Sequence, residues 1–297
     1  MASAHLLAIF GAETARPPKG LETDEAVQHH HTASLDPKEQ DLQEASAKDI
    51  LTKAYEASKP TTRHLKHPGK GCGFSYESSP FCSYAAREGV HVMMAGEVAK
   101  WPGVDSVAVS HNAFLRNEAP PEENDAHWLL DFYRTFTTAE GPADLSDGEE
   151  VMSKALECLA AIQGSFAFVI YDSVRHRVLA ARDRDGTIPL YWGATEIGQL
   201  MFGTAIGDLA ACNPTAVAFP AGCLFTSEQA LAAYNPGERG WVIAGDEVPG
   251  DLLSFVAAED AAHFRGVKAI PRITSKGQVC GAVYKVSSTA DMSKPMN

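Results

Sequence analysis

The sequence lacks the features that mark several large classes of protein. No apolar run approaches the roughly 20 residues of a membrane-spanning helix, and no basic region precedes the short apolar run at 6–10, so we expect neither membrane insertion nor secretion. The patterns of nucleotide-binding loops, esterase nucleophile elbows and zinc proteases are also missing. What remains is a chain of 297 residues, long enough to bury a substantial core.

Positive charge is scarce as well. The chain has 25 Lys and Arg against 38 Asp and Glu, a formal charge of −13, which disfavours binding to the phosphate backbone of a nucleic acid. Segment 265–297 is the exception, since it holds one acidic residue, Asp291, and six basic ones: Arg265, Lys268, Arg272, Lys276, Lys285 and Lys294. We expect this segment to pack against the acidic body, with a partner-binding tail as the alternative.

The cysteines and histidines do not form a metal-binding pattern. The six cysteines are far apart, with no C-x-x-C pair, so they are predicted to be reduced thiols of a cytoplasmic protein. His29, His30 and His31 are adjacent, but three neighbouring imidazoles cannot all face one ion. The sequence therefore predicts neither a metal site nor another cofactor.

Helix and strand signals alternate along the chain. Asp36-Pro37 predicts the start of a helix that ends near 57, and apolar spacing predicts helices at 125–137 and 149–162, with a further helix at 251–262. Strands are predicted at 5–10, 73–76, 81–85, 90–94, 164–172, 178–182, 189–193, 200–202, 223–226 and 281–286. This pattern favours one mixed domain over 1–297, with insertions at about 16–70 and 235–262.

The block from 163 to 227 carries a recognisable pattern. QGSFAFVIYD, then RDRDGTIPLYWG, GQLMFGTA and AFPAGCLF follow one another in order. They resemble the L-D-G-x-F-A-F-x-x-Y-D, R-D-x-x-G-x-x-P-L-Y-Y, G-x-L-x-F-x-S-E and F-P-P-G motifs in the glutaminase domain of asparagine synthetase, a class II glutamine amidotransferase. The resemblance implies an α+β fold, a four-layer αββα sandwich of the Ntn-hydrolase type, with two antiparallel sheets between helices.

Three further segments are similar to a plant family. LLAIFGAETARPPKGLE, GCLFTS and VKAIPRITSKGQVCGAVYKV resemble the aluminium-induced, stem-specific and auxin-responsive proteins, which share an amidotransferase-like domain. The family's Y-G-L and L-R-D-R signatures are not present here, so the chain is expected to be a divergent member. The resemblance implies a stress- or hormone-responsive protein of the cytoplasm or nucleus.

Glutaminase chemistry of this class needs an N-terminal cysteine, and removal of Met1 here would expose Ala2. The oxyanion motif N-G-E matches Ala95-Gly96-Glu97, which keeps the glycine and loses the asparagine side chain. The glutamine-binding arginine has no counterpart between 71 and 94. Asp125 matches the carboxylate that binds the glutamine amine, although capping of the helix that follows is the simpler explanation. Ala95, Gly96 and Asp125 are thus the expected remnant of a glutamine pocket.

Two other groups of residues have competing interpretations. Gly71-Cys72-Gly73 resembles the start of active domains, so cleavage before Cys72 would create an N-terminal cysteine, although Gly96 would then follow too closely. The charged stretch from Arg182 is explained structurally: Asp183 and Gly186 shape a turn before Pro189, and Arg182 pairs with a carboxylate under the sheet.

The sequence as a whole predicts a pseudoenzyme that acts by binding a protein partner or by forming a homodimer, with a small amino-acid-like ligand in the old pocket as a further option. The alternatives are a glutamine amidohydrolase processed at Cys72, or a structural subunit of a larger assembly.

Overall fold

The structure is a computed structural model of the chain. It describes residues 4–18, 21, 36–57, 63–102, 124–137, 155–227, 241–243, 246–248, 252–258, 264–273, 275–277 and 279–286. Within these ranges, no helix is long and apolar enough to cross a membrane.

Two six-stranded sheets organise the domain, and every pairing within them is antiparallel. Sheet I has the order β10-β8-β9-β1-β3-β2. Its strands are β1 (Leu6–Phe10), β2 (Arg63–Gly69), β3 (Cys72–Glu77), β8 (Tyr191–Ala194), β9 (Leu200–Gly203) and β10 (Val217–Ala218). Strand β1 therefore lies inside the sheet, between β9 and β3.

Sheet II has the order β14-β11-β7-β6-β5-β4. Its strands are β4 (Cys82–Arg87), β5 (Val90–Lys100), β6 (Gln163–Asp172), β7 (Arg177–Arg182), β11 (Cys223–Thr226) and β14 (Leu252–Ser254). Two separate hairpins pair β12 (Trp241–Ile243) with β13 (Asp246–Val248), and β15 (Val267–Ile273) with β16 (Val279–Val286).

The main core lies between the two sheets. Phe10 of sheet I packs on Tyr171 of sheet II with ring centroids 5.7 Å apart, and Trp192 of sheet I packs on Phe225 of sheet II at 5.8 Å. All four rings are almost completely buried. Alternate residues of each strand reach this core because successive side chains of a strand point to opposite faces.

Helices cover the outer faces of both sheets. Helix α1 (Pro37–Ala57) buries Ala47 and Leu51 against Leu7 and Ile9 of β1, on the outside of sheet I. A 3₁₀ helix, Ile206–Cys212, joins it there. On the outside of sheet II, helix α2 (Asp125–Thr137) and helix α3 (155–161) bury apolar residues in a second cluster: Leu129, Leu130, Leu156 and Leu159 with Val92 and Phe168. The α+β, four-layer αββα sandwich predicted from the sequence is confirmed.

Helix α1 begins with a reciprocal hydrogen-bonded cap. Asp36 Oδ1 accepts from the backbone amides of Lys38 and Glu39, at 2.7 and 2.9 Å, and Glu39 Oε2 accepts from the Asp36 amide at 3.2 Å. Pro37 fills the first helical position, where an amide would lack an intrahelical partner. The predicted start of this helix at Asp36-Pro37 and its end near 57 are confirmed.

Removing this cap is expected to weaken the outer layer of sheet I. The Asp36→Ala variant loses the acceptor for two amides, so the free energy of unfolding falls by about 1 kcal/mol. Urea unfolding followed by circular dichroism measures the change. Asp41→Ala is the matched control because it removes the same charge from an exposed position of α1, and its stability should stay within about 0.5 kcal/mol of the wild type. Equal losses in both variants would contradict a capping role.

Three segments can be compared with what the sequence predicted for them: 251–262, the basic C-terminal segment and the expected insertions. The helix predicted at 251–262 is wrong in its first part, because Leu252–Ser254 form β14, which pairs with β11 at the edge of sheet II. The basic C-terminal segment packs on the body in its described part, where β15 and β16 bury Val267 and Tyr284 in the main core. Within the two expected insertions, 16–70 contains α1 and β2, and 235–262 contains β12, β13 and β14.

Candidate functional site

The expected remnant of a glutamine pocket lies along β5, with Ala95 and Gly96 in the middle of the strand and Asp125 bound near its end. Ala95 is fully buried and stands opposite Cys82 of β4 and Ala167 of β6. Its side chain lies on the same face of the sheet as Met93, which belongs to the core between the sheets. A methyl group at this position has no hydrogen-bond donor to offer to a bound oxyanion.

Gly96, the next residue of β5, has a structural role. Its amide donates to the carbonyl oxygen of Phe81 at 2.8 Å, so this N–H already has a partner inside the protein. Its φ is +109°, a conformation that side-chain-bearing residues rarely adopt, and an added Cβ would overlap the carbonyl oxygen of Ser165. Close packing of β5 on β6 therefore explains the glycine.

Asp125 is bound near the end of β5 through its carboxylate. Oδ2 accepts from the Val98 amide at 3.2 Å, and Oδ1 accepts from the Trp101 indole Nε1 at 3.3 Å. Burial, with a smaller contribution from the negative charge of Glu97, raises the pKa of Asp125 above its usual value. Its contacts fasten the start of α2 to the end of β5.

The helix is capped by the preceding residue. Asn124 Oδ1 accepts from the His127 amide at 3.1 Å, so the cap expected from Asp125 comes from Asn124. Ala95 and Gly96 thus lie in the middle of β5, and Asp125 contacts Val98 and Trp101 near the end of that strand. The Gly96 amide and the Asp125 carboxylate are both engaged in internal hydrogen bonds. Arg87, the arginine nearest this region in the sequence, instead forms an exposed ion pair with Asp131 at 2.8 Å.

Cys72 lies elsewhere. The Cys82 thiol donates to the His5 carbonyl oxygen at 3.3 Å, which places Ala95 and its neighbour Cys82 near the start of β1. Tyr76 of β3 is the partner of Leu6 at the start of β1. Cys72 lies four residues from Tyr76 along β3, a distance of about 13 Å, and is therefore near the other end of β1. The Cys72 thiol is 1% exposed and donates to Thr14 Oγ1 at 3.3 Å, and burial raises its pKa.

These surroundings predict an unreactive thiol. A raised pKa lowers the thiolate fraction near neutral pH, and burial blocks access, so iodoacetamide at pH 7.5 should modify Cys72 at least about tenfold more slowly in the folded protein than in urea. Mass spectrometry of the tryptic peptides measures both rates. Cys158, which is partly exposed, provides an internal comparison and should react faster than Cys72. Rapid modification of folded Cys72 would contradict the burial described here.

The charged stretch that begins at Arg182 forms a rigid turn. Arg182 donates to three backbone carbonyls: Ile188 from Nε at 2.7 Å, Phe219 from Nη1 at 3.0 Å and Gly186 from Nη2 at 2.6 Å. The carboxylate partner expected for Arg182 is therefore replaced by carbonyl oxygens. Gly186 has a φ of +64°, as the turn requires, and Pro189 is exposed just before buried Leu190.

Asp183 is the acceptor at the centre of this turn. It is 2% exposed and accepts four backbone hydrogen bonds of 3.1–3.3 Å, from the amides of Phe166, Asp185, Thr187 and Ile188. A carboxylate that satisfies four amides fixes the path of the chain between β7 and β8. The structural explanation of this motif agrees with these contacts.

A further polar network has no sequence signal. His5 Nε2 lies 2.8 Å from Asp208 Oδ2, and Arg63 Nη2 lies against the same imidazole ring. Among the described residues Asp208 Oδ2 has no hydrogen-bond partner, so its contact with the imidazole is a close approach rather than a hydrogen bond. Arg63 also donates to the Ala54 carbonyl at 2.7 Å and to Ser75 Oγ at 3.1 Å. The network connects β1, β2, β3, α1 and the 3₁₀ helix, and its members are too far apart in sequence to be predicted.

No metal centre accompanies these groups in the part of the chain that the structure describes, since no three His, Cys, Asp or Glu side chains there could hold an ion together. His29, His30 and His31 lie outside the described residues.

The comparisons with known proteins agree with the motifs. Residues 148–247 match the model of the aluminium-induced protein family. The chain is also related to glutamine amidotransferase-like domains: it is 39% identical over 101 residues to asparagine synthetase B (glutamine-hydrolyzing) of Escherichia coli K12, a match of 32% of this chain and 18% of that protein. The similarities to aluminium-induced proteins and to asparagine synthetase predicted from the sequence are confirmed.

A second synthetase matches over a longer stretch. The probable asparagine synthetase (glutamine-hydrolyzing) of Dictyostelium discoideum is 25% identical over 213 residues, which is 69% of this chain and 37% of that protein. The chain thus spans less than two fifths of either synthetase. Among solved structures, glutamine phosphoribosylpyrophosphate amidotransferase from B. subtilis aligns with a TM-score of 0.34 and 13% identity over 53% of this chain and 33% of that one.

Proposed function

We propose that this protein is an amidotransferase-like domain that acts by binding and does not hydrolyse glutamine. The observation that carries the proposal is the internal use of the polar groups in the expected pocket. The Gly96 amide donates to Phe81, and the Asp125 carboxylate accepts from Val98 and Trp101. Groups committed to such bonds are not available to a glutamine substrate.

The chemistry of the class supports the same proposal. Hydrolysis of an amide through a thioester needs a thiolate nucleophile and donors that stabilise the oxyanion. Ala95 supplies no side-chain donor, and loss of one such donor costs an active enzyme about 10²–10³ in rate. The resemblance to class II enzymes therefore extends to the architecture, while the groups that would perform the reaction are replaced or occupied.

Processing at Cys72 is the enzymatic alternative, and the geometry gives it little support. Cleavage before Cys72 would remove β1 and β2, which flank β3 on both sides in sheet I. Cys72 also lies near the opposite end of β1 from His5, whose carbonyl oxygen is contacted by Cys82, the cross-strand neighbour of Ala95. This separation is too large for Cys72 to attack a carbonyl that Ala95 and Gly96 stabilise.

The full-length chain and its Cys72→Ala variant test the proposal directly. We expect glutamate release from glutamine to stay at the level of the buffer for both proteins, with E. coli asparagine synthetase B as the positive control. Intact-mass spectrometry of the same samples records the N-terminus. Turnover by the wild type that Cys72→Ala abolishes would overturn the proposal and establish a processed amidohydrolase.

The proposed binding role is self-association or binding to a protein partner. The proposed location is the cytoplasm or nucleus, and the proposed signal is stress or a hormone. The partner, the location and the signal rest on the family resemblance. Sedimentation velocity of the full chain between 1 and 100 µM, roughly the range of useful homodimer affinities, tests self-association. We expect a concentration-dependent shift from monomer to dimer. A single monomeric species throughout would remove the homodimer from the proposal.

A further inference from the structure

A cavity of about 660 Å³ opens on the outer face of sheet II, where β5 and β6 meet the end of α3. Its volume lies within the usual range for small-molecule sites. Neither Ala95, Gly96 nor Asp125 lines it, so it is separate from the expected glutamine pocket. Its walls combine the ends of three elements: Lys100 of β5, Gln163 and Gly164 of β6, and residues 159–161 of α3.

One part of the cavity wall is formed by apolar side chains. Phe166 and Phe255 are both 2% exposed and stack with ring centroids 6.4 Å apart and an interplanar angle of 17°. Ala160, Ala161 and Ile162, which are more exposed, extend this surface at the end of α3. A hydrocarbon or aromatic group placed against these side chains would be removed from water, which is favourable in proportion to its apolar area.

Two cations line the same cavity. Lys100 and Arg184 are exposed, and within the described ranges neither side chain makes a hydrogen bond or ion pair. Asp185 is the one acidic residue among the lining residues, so the described lining carries a net positive charge. The whole chain carries −13, and unpaired cations beside an apolar surface therefore make this a locally favourable place for an anion.

The backbone at Arg184 is held in place before any ligand arrives. It lies in the turn organised by Asp183, whose carboxylate accepts from the Asp185 amide at 3.1 Å and whose carbonyl accepts from the Gly222 amide at 3.0 Å. Lys100 stands opposite Gln163 at the end of the β5–β6 ladder. Fixed backbone at both cationic positions lowers the entropic cost of binding.

We propose that this cavity binds a small amphipathic carboxylate. The apolar part of the ligand packs on Ala160, Ala161 and Ile162, and its carboxylate lies between the ammonium group of Lys100 and the guanidinium group of Arg184. The inference is independent of glutamine hydrolysis, because the cavity is lined by none of the residues of the expected glutamine pocket.

Three probes separate the two parts of this recognition. Octanoate carries both an anion and an apolar chain, acetate carries the anion alone, and octyltrimethylammonium carries the chain with the opposite charge. Isothermal titration calorimetry on the full-length protein should give saturable binding of octanoate at one site, with at least about tenfold weaker binding of the other two. Equal affinity for octanoate and octyltrimethylammonium, or no saturable binding of octanoate, would overturn the proposal.

Variants locate the site. Lys100→Gln combined with Arg184→Gln should weaken octanoate binding roughly tenfold, as expected for two exposed ion pairs. Lys268→Gln combined with Lys285→Gln removes the same charge from exposed, facing positions of β15 and β16 and should leave binding unchanged. Ala161→Trp keeps both cations and should block the cavity.

Thermal unfolding of each variant confirms that it folds before its binding is compared. Equal loss of affinity in the two double variants would show a general effect of charge and overturn the site. Unchanged affinity in both Ala161→Trp and the Lys100/Arg184 double variant would place octanoate elsewhere on the protein, which also overturns it.

Discussion

The Asp183→Ala variant is expected to lose about 3–5 kcal/mol of unfolding free energy. Asp183 is almost completely buried and accepts from four backbone amides, and alanine leaves all four donors without that partner. A buried donor left unsatisfied costs about 1–3 kcal/mol, and partial access of water to the turn keeps the total below the full sum. Urea unfolding followed by tryptophan fluorescence measures the loss.

The neighbouring Asp185→Ala variant is the matched control for this experiment. It removes an aspartate from the same turn, but the Asp185 side chain is exposed, so we expect a change within about 0.5 kcal/mol. A loss below about 1 kcal/mol for Asp183→Ala would show that the turn keeps its shape without the carboxylate. In that case the R-D-x-x-G motif would need another explanation than backbone organisation.

The Gly96→Ala variant is expected to lose about 3 kcal/mol. At a φ of +109° any Cβ is strained, which costs about 1–3 kcal/mol, and here the Cβ also overlaps the Ser165 carbonyl of the adjacent strand. β5 must therefore move away from β6 to accommodate the methyl group. The same urea titration measures the loss.

Gly207→Ala provides the comparison for Gly96→Ala. A Cβ at Gly207, in the 3₁₀ helix, would have no atom within 4 Å, so the added methyl should change stability by less than about 1 kcal/mol. Similar losses at both glycines would mean that the cost at Gly96 comes from general backbone effects. A stable Gly96→Ala variant would remove the packing explanation for this residue.

Much of the fold could be predicted because its signals are local. The cap of α1 requires Asp36, Pro37 and Glu39 within one turn of chain, and the structure has the same helix start. The apolar spacing of α2 predicted the bounds 125–137, which the structure reproduces as Asp125–Thr137. Short motifs in β6 to β11 carried the family resemblance, and with it the layered architecture.

The errors occur where distant pairing decides the structure. Leu252–Ser254 were predicted to begin a helix, but they form an edge strand because β11 offers them an open hydrogen-bonding edge. Strand β2 contains a proline and two histidines, and it was missed because only its pairing with β3 makes it a strand. The small hairpin of β12 and β13 was missed too.

The candidate site likewise has features that the sequence determines and features that only the fold determines. The sequence by itself determined which residues stand in the motif positions: alanine and glycine at 95 and 96, aspartate at 125, and a glycine-flanked cysteine at 72. The tertiary structure decided their partners: Phe81 for the Gly96 amide, Val98 and Trp101 for Asp125, and Thr14 for Cys72. Only folding brings these groups together, because a hydrogen bond depends on the position of its partner in space and the sequence records only the position along the chain.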